Sequence, residues 1–286
     1  ALGWKESLLI GTALAPTDPA VVFSVLGGRE VGGRAGVLLE GESGANDPVG
    51  IALMVALLGA HGGGGAAFVA GLQTFLLQLA VGAAIGIAAG FGLRYLLRIA
   101  LPNEGLYALR VIACALAVYA LATVAHGSGF LAVLIAGILV GDEALPYRAE
   151  VRAFSGSLAS LAEIVAFVVL GFTIDLAALG RENVWAIGIV LAVLLAFVIR
   201  PLFGGLVLWP IRLSRGERLF VLWSGLKGAV PILLGLFVVT AGADHASQVY
   251  GVVFIVVAFS VIVQGGLVPT VASVLGVPLT DIPPND

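Results

Sequence analysis

Charge is what this sequence lacks most. Asp, Glu, Lys and Arg together make up 11% of its 286 residues, whereas 60% are hydrophobic. A water-soluble domain of this size needs a far more polar surface, so the composition excludes one. Cysteine is nearly absent: Cys114 stands alone, which excludes an internal disulfide and a cysteine-built metal centre. There is no basic patch, which argues against nucleic acid as a partner. No initiator Met, charged n-region or cleavage site precedes the first apolar run, so the sequence reads as a mature chain or a fragment.

What is present is apolar sequence in spans of membrane-crossing length, which predicts an all-α polytopic membrane protein in the lipid bilayer. Glycine is plentiful, 40 residues, as expected where helices pack closely. Nine apolar segments run roughly over 4–26, 35–59, 68–97, 106–125, 128–141, 153–177, 183–209, 216–240 and 247–275, separated by Gly-, Pro- and Asn-containing turns. With nine crossings, Arg29, Arg34, Arg94, Arg98, Arg110, Arg148, Arg152, Arg212, Arg215 and Arg218 fall on one side, and Lys5 and Arg181 on the other. That asymmetry makes the arginine-rich side cytoplasmic, and with it the C-terminus. His61, His126 and His245 then lie in outer loops, where polar loop residues and sensors of external pH are both open readings. Gly82, Gly86 and Gly90 line up every fourth residue on the third span, a ridge that suits close helix packing.

Away from the span ends, seven charged residues are candidates for positions within the membrane: Asp18, Glu40, Glu42, Asp47, Glu163, Arg200 and Lys227. Each costs roughly 2.5–3.5 kcal/mol at the middle of a bilayer unless it is paired or solvated. The acids outnumber the bases, so some acids are protonated or bind a cation. The stretch Leu39-Glu-Gly-Glu-Ser-Gly-Ala-Asn-Asp-Pro-Val-Gly50 concentrates them. On a helix Ser43 and Asp47 share one face, and Glu42 and Asn46 the neighbouring one. Pro48 removes the N–H that would bond the carbonyl of Gly44. A carboxylate, a hydroxyl and a loosened carbonyl suit a hard monovalent cation, and a partly desolvated Asp equally suits a proton.

Two other spans carry breaks. Pro16 and Pro19 free the carbonyls of Thr12 and Ala15, which predicts a helix interrupted at Thr17 and Asp18. In the eighth span Ser224-Gly-Leu-Lys-Gly-Ala-Val-Pro231 places Lys227 between Gly225 and Gly228, with Pro231 after them. Each broken span is followed by one more span, and the two run in opposite directions. Paired interruptions in inverted halves point to a transporter's binding site. The organisation expected is 1–59 as the last two helices of a first repeat, 60–105 as a linker helix, 106–280 as a six-helix second repeat and 281–286 as the start of a cytoplasmic tail.

Thr17-Asp18-Pro19 in a broken helix, followed by Glu42-Ser-Gly-Ala-Asn-Asp-Pro48 in the next, resembles the branch of the monovalent cation:proton antiporters that holds the bacterial NhaP type and the eukaryotic exchangers. Residues 14–26, 127–141, 161–172, 199–201 and 224–232 are similar to its bacterial members. The resemblance implies thirteen helices in two inverted repeats and a homodimer; whether a cytoplasmic regulatory domain follows Asp286 is left open. It implies that Asp47 takes cation and proton in turn, that Asn46 marks electroneutral exchange, and that Ser43 and the carbonyl of Thr17 add ligands. Glu42 would pair with Arg200, Asp18 would sit near Lys227 at the crossing, and Glu163 would line the cavity. No cofactor is expected beyond the transported cation, Na+ ahead of K+, and H+. Relatives often carry Arg where this chain has Lys227, which lacks the bidentate fork.

Other classes fit less well. A cation channel on this scaffold would show current without an opposing ion, and another solute's symporter lacks a reason for the paired acids. Gly41-Glu-Ser-Gly44 fits the pattern of an intramembrane serine protease, but that chemistry needs a histidine beside Ser43, and all three are in loops. Asp18 and Asp47 lack the sequence context of an intramembrane aspartyl protease.

Overall fold

The computed structural model describes residues 3–26, 29–60, 65–141, 146–174, 179–180 and 183–281. His61, Arg181 and the tail beyond Asp281 lie outside the described residues. The helices whose bounds lie among the described residues are, in chain order, α1 Trp4–Leu14, α2 Pro19–Val25, α3 Gly33–Gly59, α4 Gly65–Leu96, α5 Gly105–Val124, α6 Gly129–Gly141, α7 Arg148–Thr173, α8 Val184–Leu208, α9 Arg215–Trp223, α10 Ala229–Thr240 and α11 Ala246–Val274. Among the described residues the regular structure is helical apart from one short ribbon, β1 Arg29–Val31 against β2 Leu279–Asp281, antiparallel with Glu30 opposite Thr280. The helical periodicity gave no sign of that ribbon.

By length and composition five helices among the described residues can cross a membrane, or six when α1 and α2, bent by 44° at their junction, count as one span. The remaining segments of the nine expected are present as helices but differ in kind. α3 is long, yet carries Arg34, Glu40, Glu42 and Asp47. α6 is 13 residues, and α9 and α10 are two short helices either side of a break.

The chain divides into two compact units, residues 1–46 with 166–286, and residues 47–165, so that α3 and α7 each belong to both. In the first, α1 packs on α10 and α11, and the apolar side chains of Val22, Leu26, Phe220, Leu226 and Val268 are fully buried around α2, α9 and the end of α11. Pro19 occupies the first turn of α2 and Pro231 the first turn of α10, where the missing N–H would have had no intrahelical acceptor. The break therefore falls before each proline: at 15–18 in the first pair, at 224–228 in the second. Pro48, by contrast, lies inside an unbroken α3. Two π-helical stretches widen the frame, Leu195–Gly204 around Pro201 in α8 and Ser260–Gly265 in α11.

In the second unit α4 and α6 meet along the glycine ridge. A Cβ at Gly82 would lie 2.6 Å from the carbonyl oxygen of Ser128, one at Gly86 2.6 Å from that of Ala132, and one at Gly90 2.7 Å from Leu139. Only a bare backbone permits that approach. Arg94 donates from Nε and Nη2 to the carbonyl of Leu139, tying the end of α4 to α6.

Candidate ion site at the helix crossing

The two breaks meet each other directly: the N–H of Asp18 donates to the carbonyl of Leu226 at 2.8 Å. Four half-helix ends therefore converge. Two of them expose carbonyls and two expose N–H groups, with the partial charges that such ends carry. Charged side chains meet these ends with the matching sign. Lys227 Nζ donates to the carbonyls of Ala15 and Pro16 at 3.3 and 3.0 Å, just past the C-terminus of α1. Arg200 donates from Nε to the carbonyl of Leu222 at 3.4 Å and from Nη2 to that of Val221 at 3.1 Å, at the C-terminus of α9. Asp18 serves both N-terminal ends: Oδ1 accepts the N–H of Ala20 at 2.9 Å in α2, and Oδ2 accepts that of Ala229 at 3.4 Å in α10. A side chain at Gly228 would collide with this carboxylate. Asp18 is thus bonded as a shared helix cap.

Arg200 also forms the pair that the resemblance implied. Its Nη1 contacts Glu42 Oε1 and its Nη2 donates to Glu42 Oε2 at 2.8 Å, a two-pronged geometry that a lysine cannot make. Asn46, one turn further along α3, braces the first break at two points. Its Nδ2 donates to Thr17 Oγ1 at 2.8 Å, and its Oδ1 accepts the N–H of Thr17 at 3.3 Å. The hydroxyl of Thr17 contacts Glu42 Oε1 at 3.4 Å, so Thr17, Glu42 and Asn46 form one network, with Thr17 6% exposed.

Asp47 follows Asn46 directly on α3, half-buried, with buried Ser43 one turn before it on the same face. Glu163 lies half-buried on α7 in the second unit. A cavity of about 200 Å³ opens in the first unit beside the crossing, with Thr17, Arg200, Lys227 and Gln264 among polar lining residues and Leu195, Ile199, Phe203 and Val256 among apolar ones. His126 and His245 sit at helix ends, in turns with φ of 59° and 53°. Sequence reasoning missed three things here: the carbonyl-capping by Arg200, the double cap by Asp18, and the polar pair Ser260 and Gln264 on α11. Polar residues in an otherwise apolar span were the available signal for the last.

The family model of the sodium/hydrogen exchanger, transmembrane, matches residues 1–274. The chain belongs to that family. It is 34% identical over 287 residues to a K(+)/H(+) antiporter NhaP2 of Shewanella sp. (strain MR-4), covering 99% of this chain and 49% of that protein. It is 36% identical over 273 residues to the K(+)/H(+) antiporter NhaP of Alkalimonas amylolytica, covering 95% and 47%. The Na(+)/H(+) antiporter NhaH of Halobacillus aidingensis is 29% identical over 276 residues, with 92% and 67% covered. Among solved structures, the sodium proton antiporter MjNhaP1 of Methanocaldococcus jannaschii superposes with a TM-score of 0.75 at 25% identity, covering 95% of this chain and 71% of that one. The chain spans about half the length of the K(+)/H(+) antiporters it matches. As a member of this exchanger family it is a multi-pass membrane protein with the antiporter fold.

Proposed function

We propose that the protein exchanges a monovalent cation for H+ across the cell membrane, with Asp47 as the carboxylate that carries each in turn. The observation that supports this most is the neutral crossing. Asp18 and Glu42 balance Arg200 and Lys227: Arg200 pairs with Glu42, and Asp18, Lys227 and Arg200 bond helix ends of matching sign. Asp47 comes next on α3 after Asn46, which holds the N–H and hydroxyl of Thr17. The carbonyl of Thr17 and the hydroxyl of Ser43 supply oxygen ligands for a cation at Asp47. No cofactor takes part.

Deprotonated Asp47 binds the cation on the cytoplasmic side, the site opens outward, and protons there displace the ion. With one titrating carboxylate the exchange is one for one and electroneutral. Relatives with more than a third and about a third identity are named for K+, and a more distant one for Na+, so K+ stands ahead of Na+ as the cation. The working protein is a homodimer with its C-terminus cytoplasmic. α1 to α3 form the end of one inverted repeat, α4 a linker, and α5 to α11 the other repeat. Glu163 lines the route to the site.

The test uses the complete product of the gene, reconstituted in vesicles with a pH dye inside. A proton gradient is imposed, and K+, Na+ or Li+ is added with and without a voltage clamp. Cation-dependent recovery of the dye signal that is indifferent to the clamp is the expected result. A response that collapses under the clamp refutes electroneutrality, and no response to any cation refutes the exchange.

A further inference from the structure

The arginine-rich end of the first unit draws several segments together. Gly32 donates its N–H to the carbonyl of Pro278 at 2.9 Å, beside the ribbon. Arg34, in the first turn of α3, donates from Nη1 to the carbonyl of Arg212 at 3.3 Å, which joins α3 to the link between α8 and α9. A Cβ at Gly216 would meet the carbonyl oxygen of Leu275, so the start of α9 lies against the end of α11. Over residues 29–34, 209–218 and 275–281 the sequence carries Arg29, Arg34, Arg212, Arg215 and Arg218 against Glu30, Glu217 and Asp281. Glu217 is taken up by a capping box: its Oε2 accepts the N–H of Ser214 at 2.9 Å, and its own N–H donates to Ser214 Oγ at 3.1 Å. Arg218 is spent on the carbonyl of Ile211, as Arg94, Arg110 and Arg148 are on carbonyls of the second unit. Arg212 and Arg215 differ. Both are exposed, and among the described residues their guanidinium groups have no hydrogen-bond or ion-pair partner.

We propose that Arg212 and Arg215, with Arg34 alongside, bind the head group of an anionic phospholipid. The neighbouring surface suits a lipid. α8 is long and apolar enough to cross a membrane, and at its end Leu206, Val207 and Trp209 are 71%, 69% and 77% exposed. A tryptophan closing such a helix stands at the level of the head groups, with apolar side chains below it for the acyl chains. Arg212 and Arg215 follow in the short link and the first turn of α9, so they belong to the same depth. Their planar forks match the oxygens of a phosphodiester. Arginines drawn together without a carboxylate between them repel one another, and a bound anion relieves that repulsion. A basic cluster at the end of a membrane helix is the arrangement that recognises anionic lipid. Phosphatidylglycerol presents one uncompensated negative charge; in phosphatidylcholine the choline cancels it. None of these arginines belongs to the helix crossing, so the inference goes beyond the exchange proposed above and does not depend on it.

The experiment takes the complete gene product in neutral detergent, titrates it with short-chain phosphatidylglycerol or phosphatidylcholine, and reads retained lipid by native mass spectrometry. Arg212→Gln and Arg215→Gln are each expected to weaken phosphatidylglycerol binding about fivefold, and the double variant about 30-fold. Phosphatidylcholine binding is expected to stay as it is. Arg152→Gln, which removes an exposed arginine of α7 in the second unit, is expected to change neither. Equal phosphatidylglycerol binding by wild type and double variant overturns the inference. So does an equal loss in Arg152→Gln, which is the mark of general surface charge, and so does a wild type that holds phosphatidylcholine as tightly as phosphatidylglycerol. Millimolar inorganic phosphate is expected to leave the lipid bound; its release by phosphate marks a site for the free anion and overturns the lipid assignment. If the double variant does not accumulate, the two single variants carry the test, and unchanged binding in both overturns the inference.

Discussion

The Glu42–Arg200 pair is the part of the crossing whose removal has the clearest magnitude. Glu42→Gln leaves the guanidinium charged with half of its bonds weakened. Breaking a buried ion pair from one side costs about 3–5 kcal/mol. Here the two side chains are 18% and 32% exposed and Arg200 keeps the carbonyls of Val221 and Leu222, so the cost is discounted to about 2–3 kcal/mol, at or below the bottom of that range. Arg200→Met is worse, about 3–4 kcal/mol, because it strands a carboxylate and takes the donors from the C-terminus of α9 as well. The double variant Glu42→Gln/Arg200→Met has no stranded charge and loses the carbonyl caps and the brace, about 1–2 kcal/mol. The singles therefore sum to about 5–7 kcal/mol against a much smaller double, a coupling of about 4 kcal/mol. Unfolding in detergent followed by tryptophan emission measures it, with Trp223 reporting through its bond to Gln264. If the double variant is as destabilised as the sum of the singles, the pair does not act as a unit and the reasoning fails.

Asp47→Asn is expected to abolish cation-dependent proton flux in vesicles while leaving the protein's elution from a sizing column unchanged. Asn46→Ala removes both bonds to Thr17 and should cost about 1–2 kcal/mol by detergent unfolding and weaken apparent cation affinity in the flux assay. Asp18→Asn keeps an acceptor for Ala20 but loses charge at two helix N-termini, an expected loss of about 1–2 kcal/mol in the same unfolding measurement. Gly86→Ala forces a Cβ to within 2.6 Å of the carbonyl of Ala132 and should lower the melting temperature by the equivalent of about 1–3 kcal/mol. Gly92→Ala, with nothing within 4 Å, is the matched control and should leave it unchanged.

Local chemistry made much of this fold legible. Pro16 and Pro19 located the first break because a proline's missing N–H acts at its own position and one turn earlier. The same rule located the second break less closely, since Pro231 starts the next half-helix and the extended segment lies before it. The glycine ridge was legible because its spacing of four is a property of one helix, and α6 covers it. Glu42 with Arg200 was named from resemblance; nothing local links residues 158 apart in sequence. The double cap by Asp18 and the carbonyl-capping by Arg200 depend on how two breaks cross, which no single segment encodes. The widening of α8 had a signal in Pro201, whose absent N–H leaves the carbonyl of Phe197 without its usual helical partner. The ribbon of Arg29–Val31 with Leu279–Asp281 joins two three-residue strands too short for any alternation to register.

The arithmetic of charge at the crossing also bears on stoichiometry. Four ionised groups placed singly at mid-bilayer would cost roughly 10–14 kcal/mol, as much as the entire stability of a typical domain. They are tolerable because each is bound to an opposite charge or to a helix end of matching sign, and their sum is zero. A frame that sums to zero adds nothing to the charge moved when the site changes sides. In the proposed cycle that charge is set by Asp47 and its load, and the load is either one monovalent cation or one proton, so both loaded forms are neutral. A neutral loaded site crosses the low-dielectric interior far more readily than the bare carboxylate, which couples the two fluxes and forbids slippage. Asn46 keeps this balance: its amide oxygen accepts from Thr17 and its amide nitrogen donates, and an Asp there could still accept from both Thr17 groups. Asn46→Asp should therefore fold, yet it adds one negative charge to the frame. Exchange by that variant is expected to become sensitive to the voltage clamp or to slow when the extra carboxylate is ionised, and clamp-independent flux at wild-type rate across the alkaline range would refute the role given to the neutral frame.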